Sequence, residues 1–301
     1  MHNERLAGHV CAAITILIWG TTFISTKVLL TGFQPVEILF FRFLLGYAAL
    51  ALAAPRPLKG VTKRQELTFA LAGLCGGCLY YLLENIALTY TLASNVGVII
   101  SIAPFFTALL SRFLQGEGEA QGPGFAAGFV VAMAGIFLIS FNGARLQVNP
   151  LGDLLAVGAA LTWAVYALLT KKIGGFGYGA IQSTRRVFFY GLVFMLPALF
   201  AFRFEWGLAR LAQPVYLLNL LFLGLGASAL CFVSWGVAVK RLGAVKTSVY
   251  IYLVPVITVI TSVLVLGEPV TPLALAGTVL TLAGLGLSQW PAKRAVTANE
   301  K

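Results

Sequence analysis

Charge is scarce in this sequence. Of its 301 residues only 10% are Asp, Glu, Lys or Arg while 59% are hydrophobic, against roughly 25% charged residues in a soluble domain. A water-soluble fold is thereby excluded, because it has no means of hiding so much apolar surface. Histidine is rarer still: His2 and His9 both lie near the N-terminus, and Cys11, Cys75, Cys78 and Cys231 all fall inside apolar runs. That placement excludes a secreted disulfide framework. Cys75-x-x-Cys78 lacks further thiols or histidines to complete a zinc site, so neither a metal nor a cofactor is expected. The ten acids are scattered, no nucleophile sits beside a base, and no Walker-type glycine loop occurs. An integral-membrane enzyme acting on a lipid-soluble substrate is the rival functional class, and it would need such a cluster.

Long apolar runs take the place of charge. Stretches 85–111, 120–144, 211–239, 247–267 and 269–292 contain no Asp, Glu, Lys or Arg. A bilayer core about 30 Å thick needs about 20 apolar residues per helix. The runs predict an all-α membrane protein of ten transmembrane helices, near 8–30, 36–54, 66–90, 94–115, 123–141, 150–171, 180–202, 214–238, 244–266 and 271–290. The first lacks a small-x-small cleavage site and reads as a retained helix, not a signal peptide. Net charge is +11, yet no basic stripe with interleaved aromatics points to nucleic acid. Orientation explains the excess: fourteen Lys and Arg fall on one side of the predicted helices, against Arg145, Arg203 and Arg210 in the opposite loops. The positive-inside bias then puts both termini in the cytoplasm, which requires an even number of helices. The expected surroundings are a lipid bilayer and a small-molecule substrate; oligomeric state is not legible.

Self-comparison reveals a repeat. Gly8, Trp19, Lys27 and Arg42 recur as Gly152, Trp163, Lys171 and Arg186, all 144 residues on. Ala87, Ala93, Pro104, Gly116 and Glu117 recur as Ala238, Ala244, Pro255, Gly267 and Glu268 at an offset of 151, and Gly128, Ala134 and Gly135 meet Gly277, Ala283 and Gly284 at 149. The chain divides into repeats 1–145 and 146–292 with a cytoplasmic tail 293–301. Five helices per repeat is an odd number, so the second repeat enters the membrane from the opposite side. Inverted repeats commonly support alternating access around a site between the halves.

The pieces Trp19-Gly20-Thr21-Thr22-Phe23, Phe41-Arg42-Phe43, Ala87-Leu88-x-Tyr90-Thr91 and Pro104, with Trp163, Pro255, Gly267-Glu268, Gly277 and Ala283-Gly284, resemble the EamA-type ten-helix exporters of the drug/metabolite transporter superfamily. Nearly the whole chain is covered. After Glu117 the sequence departs from the usual pattern with Gly118-Glu119, where a Pro or basic residue often stands. The resemblance implies a secondary transporter of the bacterial inner membrane, exporting amino acids or related metabolites.

Several residues are candidates for the pathway. Thr15, Trp19, Thr22 and Thr26 recur at helical spacing on one face, and Trp163, Tyr166 and Thr170 occupy the matching helix; lining a cavity and packing between helices are both open. Tyr81, Glu84 and Asn85 lie within the third predicted helix, where a charge is expensive and usually faces a cavity or a partner. Arg42 and Glu84 each lie about six residues from the outer end of a helix, near 9 Å deep at about 1.5 Å per residue. Glu84 therefore has three principal readings: a structural pair or gate with Arg42, a contact for a substrate ammonium, or a proton-coupling carboxylate. The equivalent position in the second half is Trp235, which leaves Arg186 without a matching acid and free for an anion or lipid phosphate. Pro104 and Pro255 are expected to kink the fourth and ninth helices, with Ser94, Ser101, Tyr250 and Tyr252 lining the opened region. Gly73 with Gly77, and Gly124 with Gly128, read as close-packing pairs.

Overall fold

The computed structural model describes residues 2–115, 124–140 and 149–288, and every regular element among them is helical. In chain order these are α1 (His2–Leu29), α2 (Pro35–Ala53), α3 (Lys63–Tyr90), α4 (Ala93–Ile100 and Ala103–Gln115), α5 (Gly124–Ser140), α6 (Pro150–Gly174), α7 (Ala180–Ala201), α8 (Pro214–Leu242), α9 (Ala244–Leu266) and α10 (Pro272–Ser288). Eight of them are long and apolar enough to cross a membrane; α5 and α10, at 17 residues each, fall below that length. Gly116-Glu117, Gly118-Glu119, Arg145 and the tail 293–301 lie outside the described residues.

Local chemistry sets the helix starts. Proline opens α2, α6, α8 and α10, where its missing N–H is no loss and its fixed φ suits the first turn. Gln34 and Glu37 form a capping box on α2, and Thr62 with Gln65 forms one on α3.

Pro104 and Pro255 do not kink continuous α-helices. Each stands at the second residue of a new helical segment: α4 breaks at Ser101 and Ile102 before Ala103, and α9 passes through a 3₁₀ turn, Val249–Leu253, before Val254. A proline there needs no donor, so the break precedes the ring instead of being forced by a lost internal hydrogen bond.

Two further irregularities are related by the repeat. Within α3, residues Gly73–Leu79 wind as a π-helix, and within α8 so do Phe222–Leu230. A shift of 151 carries 73–79 onto 224–230. Such wide turns leave carbonyls misaligned with the helical ladder and are frequent at functional sites.

By contact the chain forms two compact units, one of Met1–Leu110 with Asn149–Pro269, the other of Ser111–Val148 with Val270–Lys301. Each draws helices from both sequence halves. In the larger unit α3 crosses α7 at backbone contact: a Cβ on Gly73 would stand 2.7 Å from the Gly191 nitrogen, and one on Gly77 would stand 3.0 Å from the Gly191 Cα. Only glycine permits that approach. In the smaller unit α5 packs on α10, and a Cβ on Gly284 would meet the Gly128 carbonyl at 2.6 Å.

Candidate functional site

Rings from four helices of the larger unit converge at its centre. Trp19 of α1 meets Trp163 of α6 edge to face with centroids 5.0 Å apart, and Trp235 of α8 lies 5.1 Å from Trp19 and 5.9 Å from Trp163. Tyr80 of α3 stacks at 5.0 Å on Trp163, and Phe232 of α8 lies 5.6 Å from Tyr166 and 6.1 Å from Tyr81. The π-turn of α8 fixes this cluster, because its Ala227 carbonyl accepts the Trp19 indole N–H at 2.9 Å.

The cluster separates two spaces. On one side is a vestibule of about 530 Å³, whose mouth carries Glu4, Arg5, Lys240 and Arg241 and whose wall carries Tyr166, Thr170, Ser183, Thr184 and Phe232. On the other is a cavity of about 30 Å³ lined by Trp19, Thr22, Phe23, Tyr80, Tyr81, Glu84, Ile100, Trp163, Ile251 and Val254. Trp163, which faces the small cavity, lies 5.0 Å from Tyr166 and 6.0 Å from Phe232, which face the vestibule. These rings form the partition.

Of the sequence candidates, Trp19, Thr22, Tyr81, Glu84 and Trp163 thus meet at the small cavity, Tyr166 lines the vestibule, and Trp235 packs behind the tryptophan pair. Thr170 also lines the vestibule, while Asn85, Ser101, Tyr250 and Tyr252 stand apart from both spaces. Asn85 donates to the Pro35 carbonyl at 3.0 Å and so ties α3 to the start of α2; Ser101 bonds back to Val98; the Tyr250 hydroxyl bonds His9 Nδ1 at 2.7 Å; Tyr252 is buried. On α1, Thr15 bonds Ser234 at 2.6 Å, a packing role, while Thr22 returns its proton to the Trp19 carbonyl.

The direct pair between Arg42 and Glu84 does not form. Both are buried, but the Arg42 guanidinium lies 4.1 Å over the Tyr81 ring and donates through Nε to Ser228 at 3.1 Å. Among the described residues its two terminal nitrogens and Glu84 Oε1 have no hydrogen-bond partner. Arg186 is not free either: it pairs with Glu66 of α3 at 2.6 Å, and the Tyr190 hydroxyl donates to the same carboxylate. The acid partner thus falls to the second-half arginine and not to the first.

Sequence reading passed over Phe232 and Tyr80, although Phe232 is the repeat equivalent of Tyr81 and the offset alone points to it. It also passed over the Ala227 carbonyl, which no side-chain pattern reveals.

The two indoles differ in a way that stability measurements can read. Trp19→Phe removes a satisfied hydrogen bond and orphans the Ala227 carbonyl, so about 1–2 kcal/mol is lost. Trp163 Nε1 is buried without a partner, so Trp163→Phe is expected to cost less than Trp19→Phe in thermal unfolding of the purified protein; the reverse order would contradict the geometry.

Comparison with known proteins bears on this arrangement. The model of the EamA-like transporter family matches residues 6–141 and again 150–289. A probable terminal-alkyne amino-acid exporter of Streptantibioticus cattleyicolor is 30% identical over 91% of this chain and 90% of its own, and an uncharacterized transporter of Archaeoglobus fulgidus is 30% identical over 93% and 96%. A probable amino-acid metabolite efflux pump of Salmonella typhimurium is 27% identical over 91% and 92%. One solved crystal structure shares the fold with a TM-score of 0.64 at 21% identity, covering 96% of this chain and 97% of that chain. With both of its halves matched and apolar helices able to span a bilayer, this multi-pass membrane protein belongs to the EamA-like transporter family.

Proposed function

We propose that the protein is a secondary exporter of amino acids or related small metabolites, working by alternating access between two inverted five-helix repeats of a ten-helix chain in the bacterial inner membrane, with both termini in the cytoplasm. The observation that carries this reading is the meeting of Trp19 and Trp163, repeat equivalents from opposite halves, 5.0 Å apart in the partition between the vestibule and the small cavity. An access-alternating protein needs a barrier of this kind between its two sides. The vestibule mouth, with Arg5, Lys240 and Arg241, lies at the basic end of the chain, so the positive-inside bias makes it cytoplasmic and solute loads from the cell interior. The amino-acid assignment is supported by the names of the Streptantibioticus and Salmonella relatives.

Purified protein in proteoliposomes, oriented by labelling of cysteines placed at Lys59 and Arg203, is expected to move a subset of an amino-acid panel by counterflow. Labelling of both cysteines from one face would overturn the inverted topology. Chemical conversion of a solute without flux would overturn transport.

A further inference from the structure

Glu84 buries a carboxylate beside Tyr80 and within reach of the Arg42 charge, yet makes no ion pair among the described residues. It is 1% exposed, its Oε1 has no hydrogen-bond partner, and Arg42 turns its guanidinium onto Tyr81 and Ser228 instead. Around the carboxylate stand Trp19, Tyr80, Tyr81 and Trp163, with Ile100 and Ile251 completing an apolar wall. Trp163 Nε1, on the same cavity, is a buried donor without an acceptor. An unmatched acceptor and an unmatched donor in one small space are each costly, and a carboxylate walled by aromatic faces favours a cation over any neutral guest. The cavity, about 30 Å³, exceeds the ~10–15 Å³ in which a single water fits. A compact ammonium head therefore has room.

We infer that Glu84 receives the protonated amine of the transported solute while Trp163 Nε1 donates to an oxygen of the same molecule. The solute class is then compact primary amines bearing an oxygen acceptor, and acids or alcohols of equal size that lack the amine are excluded. This rests on the exporter reading above, but it is separable from it.

The test uses the full chain in lipid nanodiscs, with tryptophan emission followed during titration with n-butylamine, n-butanol and butanoate at neutral pH and empty nanodiscs as the blank. Saturable change with n-butylamine alone is expected, weakened at least about tenfold in Glu84→Gln, as loss of a charged hydrogen-bond partner implies. Trp163→Phe should leave n-butylamine binding in place and weaken binding of L-norvaline, which adds the carboxylate. Equal response of the wild type to butanol and n-butylamine overturns the assignment even if Glu84→Gln fails to fold. Counterflow of L-norvaline separates the two claims. Flux that Glu84→Gln leaves intact removes the amine site and keeps the exporter, whereas Glu84-dependent binding with no flux of any panel member keeps the site and removes the exporter.

Discussion

Arg210→Ala is expected to lower the thermal midpoint of the detergent-solubilised protein far more than Arg203→Ala, although both residues lie between α7 and α8. Arg203 is exposed. Arg210 reaches back to Glu37 at 3.0 and 3.1 Å, donates to the Gly32 carbonyl at 2.7 Å and lies 4.4 Å over the Phe33 ring. Glu37 is fully buried in the first turn of α2 and also accepts the backbone N–H groups of Gln34 and Glu205. Removing the guanidinium strands a charge, which costs about 3–5 kcal/mol for a buried pair. Two backbone donors and the positive end of α2 remain to the carboxylate, so the lower end of that range is expected. Arg210→Lys should recover only part, because an ammonium cannot make the two-pronged contact. Glu37→Gln combined with Arg210→Gln should lose less than the sum of the single changes. A midpoint for Arg210→Ala no lower than that for Arg203→Ala would show that the pair carries no stability.

The sequence disclosed the helices and their repeat because both leave one-dimensional traces: apolar runs long enough to span, and Trp, Lys, Arg, Pro and Glu in one order at near-constant offsets. It also brought Trp19, Trp163 and Glu84 forward, since an indole pair and an acid are conspicuous in an apolar chain. The expected contact between Arg42 and Glu84 shows where such reading stops. A rise of about 1.5 Å per residue fixes how deep each residue lies, and the two depths agree, but depth leaves open which way each helix is turned. The rotation of α2 sends Arg42 toward Ser228 of α8. The pair of Glu66 with Arg186 spans 120 residues of chain, and no local pattern signals it. The π-turns were equally hidden, because a five-residue hydrogen bond changes the backbone without changing the hydrophobic period; runs such as Gly73-Leu74-Cys75-Gly76-Gly77 give the small side chains and not the winding.

The end of the larger unit remote from the vestibule is closed by charges set on helix ends, and unfastening them should open it. Lys27, in the last turn of α1, donates at 2.7 Å to the carbonyls of Leu88 and Thr91 where α3 stops. Glu268, just after α9, accepts from the backbone N–H groups of Ala93 and Ser94 at 3.0 and 3.3 Å and from the Ser94 hydroxyl at 2.9 Å where α4 starts. A cation on a C-terminus and an anion on an N-terminus each match the local helix field, and together they hold α1, α3, α4 and α9 at one end. Glu268→Ala removes charge-assisted bonds worth about 2 kcal/mol or more. If that end opens during transport, the population open there should rise roughly 30-fold, since about 1.4 kcal/mol is a factor of ten. The readout is a cysteine placed at Thr22, on the small cavity, in a background with the native cysteines replaced, treated with a membrane-impermeant thiol reagent from each face of oriented vesicles. Labelling from the face opposite the vestibule should accelerate in Glu268→Ala and in Lys27→Ala, while labelling from the vestibule face slows, because a state open at one end is closed at the other. Acceleration from both faces would mean that the bundle has loosened. Unchanged labelling from both would mean that these contacts fasten a fixed corner of the fold and take no part in gating.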